Sequence, residues 1–312
     1  MQKQIILDLR KKESFEKGHL PGAISFPIFS ESEYAHLKKL DSDKKRDFYL
    51  AKFEFLESKL IELVGYQAFE FYCQKGELES RYFQNWFGAD FPEAKIIKGG
   101  YKGYRKSVLS NFEKKHALTV LTGFTGSGKT KVLDILAQRG HSVLNFEECA
   151  SHKGSVFGKL EVSEETSQEQ FENNIHASLL KDQLIFTEMK GRYLGELYIP
   201  IHLFEQIIES PKVFLDTPKE TRVSNLVHEY CGRDDDFLHK QLMLLKERIG
   251  KERVIELSAL LEKKNYKGFI EGLLQYYDNS EVYRKAKSEA NAVVSGLHPE
   301  KAASEIIRLN SL

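Results

Sequence analysis

Gly123-Phe124-Thr125-Gly126-Ser127-Gly128-Lys129-Thr130 is the stretch on which the fold turns. It is a complete G-x-x-x-x-G-K-[ST] phosphate loop. Gly123, Gly126 and Gly128 let the backbone amides of the loop, with Thr125 and Ser127 between them, face phosphate oxygens. Lys129 adds a positive charge, and the Thr130 hydroxyl is a candidate magnesium ligand. The flanks supply the context that the motif demands. Ala117 to Leu121 reads as a buried strand, and Lys129 to about Arg139 as a helix. Further strands are expected at Ser142 to Leu144, Gln183 to Phe186 and Lys212 to Leu215, and the chain beyond Lys219 is expected to be mostly helical. Strands alternating with helices imply a parallel sheet. Glu188, just past Leu184-Ile185-Phe186, is a candidate magnesium ligand or base, or else a solvated charge at a strand end. Arg222 is a candidate substrate contact, or the partner of a surface acid.

Working back toward the N-terminus, a second alternating pattern appears. Ile5-Ile6-Leu7 reads as a strand, Lys11 to Lys17 as a helix, and His19-Leu20-Pro21-Gly22 as a turn into Ala23 to Phe26. Tyr49 to Leu63 has helical spacing, Gln67 to Tyr72 reads as a strand, Ser80 to Phe87 as a helix, and Ala94 to Ile97 as a strand. Cys73 thus falls between a strand and a helix. Unpaired backbone amides there would stabilise a thiolate and an anionic donor, with Gly76 letting the loop turn inward. A small buried residue capping a strand is the competing account of Cys73. Lys75 and Arg81 are the candidate anion contacts beside it, while Glu77 and Glu79 oppose a highly charged donor. Between the two patterns, Lys95 to His116 carries seven Lys or Arg against the single acid Glu113. Tyr101, Lys102 and Arg105 in that stretch are candidate RNA contacts, with a solvated linker helix as the alternative.

Composition narrows the class. The 312 residues allow about two domains. A hydrophobic share of 41%, a charged share of 29% and zero net charge describe a soluble globular protein whose nucleic-acid contacts must be local. Cys73, Cys149 and Cys231 are widely spaced, which suits a reducing cytoplasm better than a disulfide framework or a zinc ribbon. The N-terminus does not read as a signal peptide, and no apolar run is long enough for a membrane span, so no membrane partner is expected.

Several strings carry a resemblance. Asp8-Leu9-Arg10, Glu13-Ser14-Phe15 and Lys17 to Ala23 with Pro27 resemble the opening of a rhodanese domain, and Tyr72-Cys73 falls where that family carries its persulfide-forming cysteine. The arginines usual around the loop glycine are replaced here by Lys75 and Glu79, with Arg81 following. A rhodanese domain joined to a phosphate-loop domain resembles the tRNA 2-selenouridine synthase family. Ser80-Arg81 with Trp86, Gly99-Gly100-Tyr101-Lys102, Ser151 to Gly158, Ser167-Gln168, Phe171-Glu172-Asn173, Arg192 to Pro200 and Tyr276-Tyr277-Asp278 are similar to family segments in the same order. The resemblance implies an α/β chain: a rhodanese-like parallel-sheet domain over 1–108, a linker over 109–116, and a P-loop NTPase-like α/β domain with a helical C-terminal region over 117–312. It further implies a cytoplasmic transferase acting on wobble 2-thiouridine of tRNA. Selenium would come from selenophosphate, through an S-geranyl intermediate made from geranyl diphosphate. No tightly bound cofactor or resident metal is expected, with Mg2+ as a candidate companion of the diphosphate. His152, Lys153 and Arg192 join the candidate substrate contacts, and Phe124, Val156 and Phe157 are candidates for an apolar wall around a prenyl tail.

Two rival readings differ in class. One is a small-molecule kinase with an inert rhodanese-like domain, marked by strong ATP turnover. The other is a regulator in which nucleotide binding gates a sulfur relay. Copurified tRNA would favour the modifying enzyme over both.

Overall fold

The computed structural model describes residues 5–65, 67–151, 166–180, 183–189, 191–232, 234–279 and 286–310. The chain forms two compact units, one of residues 1–113 with 167–177, the other of 114–166 with 178–312. The helix Gln168–Leu179 therefore groups with the first unit over most of its length, although it lies far down the chain. The expected linker over 109–116 is helical up to Phe112, because the helix Gly100–Phe112 runs on into it.

In the first unit, β1 (Ile5–Asp8), β2 (Ala23–Ser25), β3 (Phe69–Tyr72) and β4 (Lys95–Ile96) form a parallel sheet in the order β2-β1-β3-β4. Leu7 faces Phe71 and Asp8 faces Tyr72 across the β1–β3 pair. The apolar positions Tyr49, Phe53, Leu56, Leu60 and Val64 recur every three or four residues on the helix Ser42–Val64, so one stripe enters the core. Asp41 caps that helix by accepting from the Lys44 amide. Phe53 is fully buried against Phe83 and Phe87 of the helix Leu78–Phe87. Burying such a ring stabilises the fold by about 1.5–3 kcal/mol.

In the second unit, β5 (Leu118–Thr122), β6 (Ser142–Leu144), β7 (Ile185–Glu188), β10 (Lys212–Asp216) and β11 (Ala292–Ser295) form a parallel sheet in the order β11-β10-β5-β7-β6. A short antiparallel hairpin joins β8 (Tyr193–Leu194) to β9 (Leu197–Tyr198). Strand β5 is fully buried and central. Its chain neighbour β6 lies beyond β7, whereas β10 flanks it on the other side. The C-terminal end of β5 is thus a topological switch point, where open α/β sheets place their ligands. The helices Lys129–Gln138 and Pro299–Leu309 share one apolar cluster that includes Leu133, Leu136, Ala303 and Ile306. The helices Lys219–Tyr230, Asp235–Leu244, Lys251–Glu262 and Tyr266–Asp278 build a separate cluster around Leu238, Leu242 and Phe269. The region after Lys219 is helical as expected but returns to the sheet through β11. That strand escapes a sequence reading because only Val294 of its four residues is buried.

Candidate active-site loops

The phosphate loop follows β5 directly, and its carbonyls are taken up one after another. Lys129 Nζ donates to Gly123 O at 2.9 Å and to Phe124 O at 3.2 Å. Arg222 donates to Thr125 O (3.2 Å), Asn225 Nδ2 to Gly126 O (2.9 Å) and Thr217 Oγ1 to Ser127 O (3.0 Å). Five consecutive acceptors are thereby satisfied by side chains, three of them from the segment that leads into and forms the helix Lys219–Tyr230. A peptide whose carbonyl is held on one side presents its amide to the other. A glycine-rich loop held this way ahead of the helix Lys129–Gln138 is suited to receive an anion at its amides. The helix packs closely enough that a Cβ on Gly126 would stand 2.9 Å from Arg222 O. Thr130 lies one residue into the helix Lys129–Gln138.

Arg222 is 4% exposed, and its guanidinium grips both carboxylate oxygens of Asp278 at 2.9 and 2.7 Å. It lies 4.9 Å from the Phe124 ring centroid. The structure therefore assigns Arg222 to holding the loop rather than to an exposed substrate or RNA contact. Its ion-pair partner is the half-buried Asp278. Glu188 is 1% exposed and ends β7, in register with Leu121 just ahead of the loop. Arg192 is half-buried and precedes the hairpin β8–β9, and its backbone carbonyl accepts from the Ile199 amide. His152, Lys153, Val156 and Phe157 lie outside the described residues.

The thiol loop closes the C-terminal end of β3. Cys73 is 2% exposed, and its carbonyl accepts from the Tyr101 amide at 3.0 Å. The Gln74 carbonyl accepts from Lys102 at 2.9 Å. The first turn of the helix Gly100–Phe112 thus holds the loop by its backbone. Contact is tightest at two glycines with positive φ, +67° at Gly76 and +57° at Gly100. A Cβ at Gly76 would lie 2.7 Å from Gly100 N, and one at Gly100 would overlap Cys73 O and Gly76 N. Lys75 and Arg81 are exposed, Glu79 is half-buried, and the helix Leu78–Phe87 starts with no side-chain cap. Ser80 Oγ and Tyr49 Oη are buried without a hydrogen-bond partner. None of Cys73, Cys149 and Cys231 forms a disulfide. Burial pushes Cys149 up to about 12 and Cys231 up to about 11, which disfavours the thiolate form of both near neutral pH.

Beneath the thiol loop lies a buried polar network. Arg10 binds Asp8 through Nε at 2.9 Å and a terminal nitrogen at 2.6 Å, and donates to Gly18 O at 2.6 Å. Its guanidinium stacks 3.6 Å from the Tyr101 ring centroid. Tyr72 donates to Asp8 and Tyr101 to Glu169, each at 2.6 Å. Burial first, and the neighbouring carboxylates second, hold both phenols well above the ordinary tyrosine value, so both remain donors. Arg105 pairs with Glu172 and donates to Asn173 Oδ1 at 2.7 Å. Tyr101, at 3% exposure, and Arg105 therefore face the helix Gln168–Leu179, which corrects their reading as RNA contacts. Lys102, of the same three candidates, faces solvent. Thr217, Asn225 and Asp278 carry loop-holding roles that sequence reasoning did not assign. Of the three, Asp278 lies in the Tyr276-Tyr277-Asp278 string that carries the resemblance, and Thr217 and Asn225 stand out by no motif.

No group of three or more His, Cys, Asp or Glu among the described residues is placed to form a metal cluster. No described helix is long and apolar enough to cross a membrane.

Residues 116–308 match the family model described as tRNA 2-selenouridine synthase AAA domain, and residues 1–107 match the rhodanese-like domain. Among curated proteins, the tRNA 2-selenouridine synthase of Shewanella woodyi is 26% identical, with 94% of this chain and 91% of that protein aligned. The one from Bdellovibrio bacteriovorus is 27% identical over 87% of this chain and 86% of its own length. That of Nitrosomonas europaea is 30% identical, spanning 72% of this chain and 63% of that protein.

Proposed function

The chain belongs to the tRNA 2-selenouridine synthase family, and from that premise we propose that it converts wobble 2-thiouridine of tRNA to 2-selenouridine through an S-geranyl intermediate. The observation that carries the reading is the phosphate loop with five carbonyls held by side chains, a geometry suited to a diphosphate. Geranyl diphosphate is the proposed ligand. Lys129, now folded onto Gly123 O and Phe124 O, exchanges those acceptors for diphosphate oxygens. The sulfur of 2-thiouridine attacks the first geranyl carbon, forming the C–S bond as the C–O bond breaks and the diphosphate leaves with the electron pair. Loop amides and Lys129 stabilise the charge that builds on that leaving group. Phe124, edge-on to Phe214 at 5.7 Å, is a half-buried apolar surface beside the loop for the prenyl chain.

The Thr130 hydroxyl and the buried Glu188 carboxylate are hard oxygen donors, which fits a magnesium ion that keeps most of its waters. When bound, magnesium supplies further neutralisation of the diphosphate. Geranylation makes sulfur a better leaving group: a selenium nucleophile derived from selenophosphate adds at C2 of the base, and geranylthiol departs. Cys73, at the loop after β3, is the proposed nucleophile of the selenium half. Its thiolate takes the phosphoryl group of selenophosphate, the S–P bond forming as the Se–P bond breaks. Water then releases orthophosphate, and the freed hydrogen selenide is the nucleophile that adds at C2. The proposed reaction is a group transfer on soluble substrates.

The test supplies purified protein with 2-thiouridine tRNA, geranyl diphosphate and selenophosphate, followed by mass spectrometry of the nucleosides. S-geranyl-2-thiouridine appearing before 2-selenouridine supports the proposal. Rapid ATP turnover with no change in the tRNA would refute it in favour of a kinase.

A further inference from the structure

The helix Gly100–Phe112 has two faces with separate tasks. Its inner face is committed: Tyr101 and Arg105 bind the helix Gln168–Leu179, and the amides of Tyr101 and Lys102 hold the thiol loop at Cys73 O and Gln74 O. Its outer face carries Lys102 and Lys106, both exposed, with exposed Lys98 two residues before the helix begins. None of these three ends in an ion pair among the described residues. Nor does the sequence offer a carboxylate three or four positions from Lys102 or Lys106. Those positions hold Lys98, Gly99, Arg105 and Lys106 for the first, and Lys102, Gly103, Leu109 and Ser110 for the second.

Two like charges one turn apart oppose helix formation, so the repeat works against local stability. The flanking residues Gly99, Gly103, Ser107 and Ser110 are small, and with the exposed Leu109 one turn beyond Lys106 the ammonium groups are the charged reach of this face. Lys102 and Lys106 are separated by about 6 Å of helix rise. The row starts at the turn whose amides grip the thiol loop, so a strand lying along it would bring one of its bases toward Cys73.

We propose that Lys98, Lys102 and Lys106 form a backbone track for the tRNA strand that carries the modified base, delivering that base to the thiol loop. The inference rests on the tRNA reading above and adds the surface that receives the RNA. Recognition is by phosphate charge, so it is independent of base sequence and sensitive to salt.

The experiment compares the full-length protein with the triple variant Lys98→Gln, Lys102→Gln, Lys106→Gln. The probe is tRNA purified from cells that lack the enzyme, titrated at 50 to 200 mM salt. Each lysine that neutralises one single-strand phosphate contributes about 0.7 to the slope of log affinity against log salt. Three contacts make the slope shallower by about 2 in the variant. The wild type then loses roughly 20-fold more affinity than the variant across that fourfold rise in salt. The variant with arginine at all three positions should restore the slope, and geranyl diphosphate binding should stay unchanged in every variant. An unaltered salt slope in the glutamine variant, with wild-type protein still binding and modifying tRNA, overturns the track but leaves the functional reading intact. Wild-type protein that does not bind tRNA at all overturns both.

Discussion

Replacing Gly100 by alanine should disable selenium incorporation while leaving geranylation intact. Gly100 has φ +57°, a region that costs an L-residue about 1–2 kcal/mol. The added Cβ would also overlap Cys73 O and Gly76 N, and would stand 2.8 Å from Lys75 C, where ordinary contact begins near 3.4 Å. All three are backbone atoms of the thiol loop, so relief comes only by moving that loop, on the order of 1 Å. A misplacement of that size can cost about 100-fold in rate. The phosphate loop draws its support from Thr217, Arg222 and Asn225 instead, and is untouched. The assay follows S-geranyl-2-thiouridine and 2-selenouridine by mass spectrometry over time, with the rate of geranylation serving as the internal check that the variant is folded. Selenium incorporation within about twofold of wild type would refute the view that the Gly76–Gly100 contact positions Cys73.

Asp278→Asn removes the charge partner of the buried Arg222 and loosens its hold on Thr125 O. The Michaelis constant for geranyl diphosphate should rise at least tenfold, with a smaller change for tRNA. An unchanged constant would show that the loop holds its shape unaided. Lys129→Ala should lower the geranylation rate by about 10²–10³, the range for deleting one preorganised charge contact, as measured under single-turnover conditions. Cys149 should resist alkylation at pH 8, where a thiol at about 12 is roughly one ten-thousandth thiolate. Its labelling rate should rise tenfold per pH unit until the thiol titrates, and fast labelling at pH 8 in the folded protein would contradict its burial.

Both loops were legible in the sequence because each is a local device: a strand, a turn with glycines, and a helix, all contiguous in the chain. Strand β5 is buried throughout and carries Leu118, Val120 and Leu121, and Cys73 follows Phe69, Phe71 and Tyr72, an aromatic-rich run that reads as a strand. What holds the loops in place was not legible. The partners of the phosphate loop lie about 90 residues beyond it, and those of Tyr101 and Arg105 nearly 70. A tyrosine and an arginine amid lysines look like an RNA surface until the acidic positions Glu169 and Glu172 are placed beside them. The sign of the stretch was visible in the sequence, whereas the division of its residues between an inner and an outer face was not. Strand β11 was missed for a related reason, since an exposed edge strand of four residues has no period to detect.

If the two loops serve separate half-reactions as proposed, Cys73→Ala divides them. With 2-thiouridine tRNA, geranyl diphosphate and selenophosphate supplied together, this variant should form S-geranyl-2-thiouridine at the wild-type rate and accumulate it without 2-selenouridine. If Cys73→Ala makes 2-selenouridine as fast as the wild type, Cys73 is a structural residue and the division of labour is wrong.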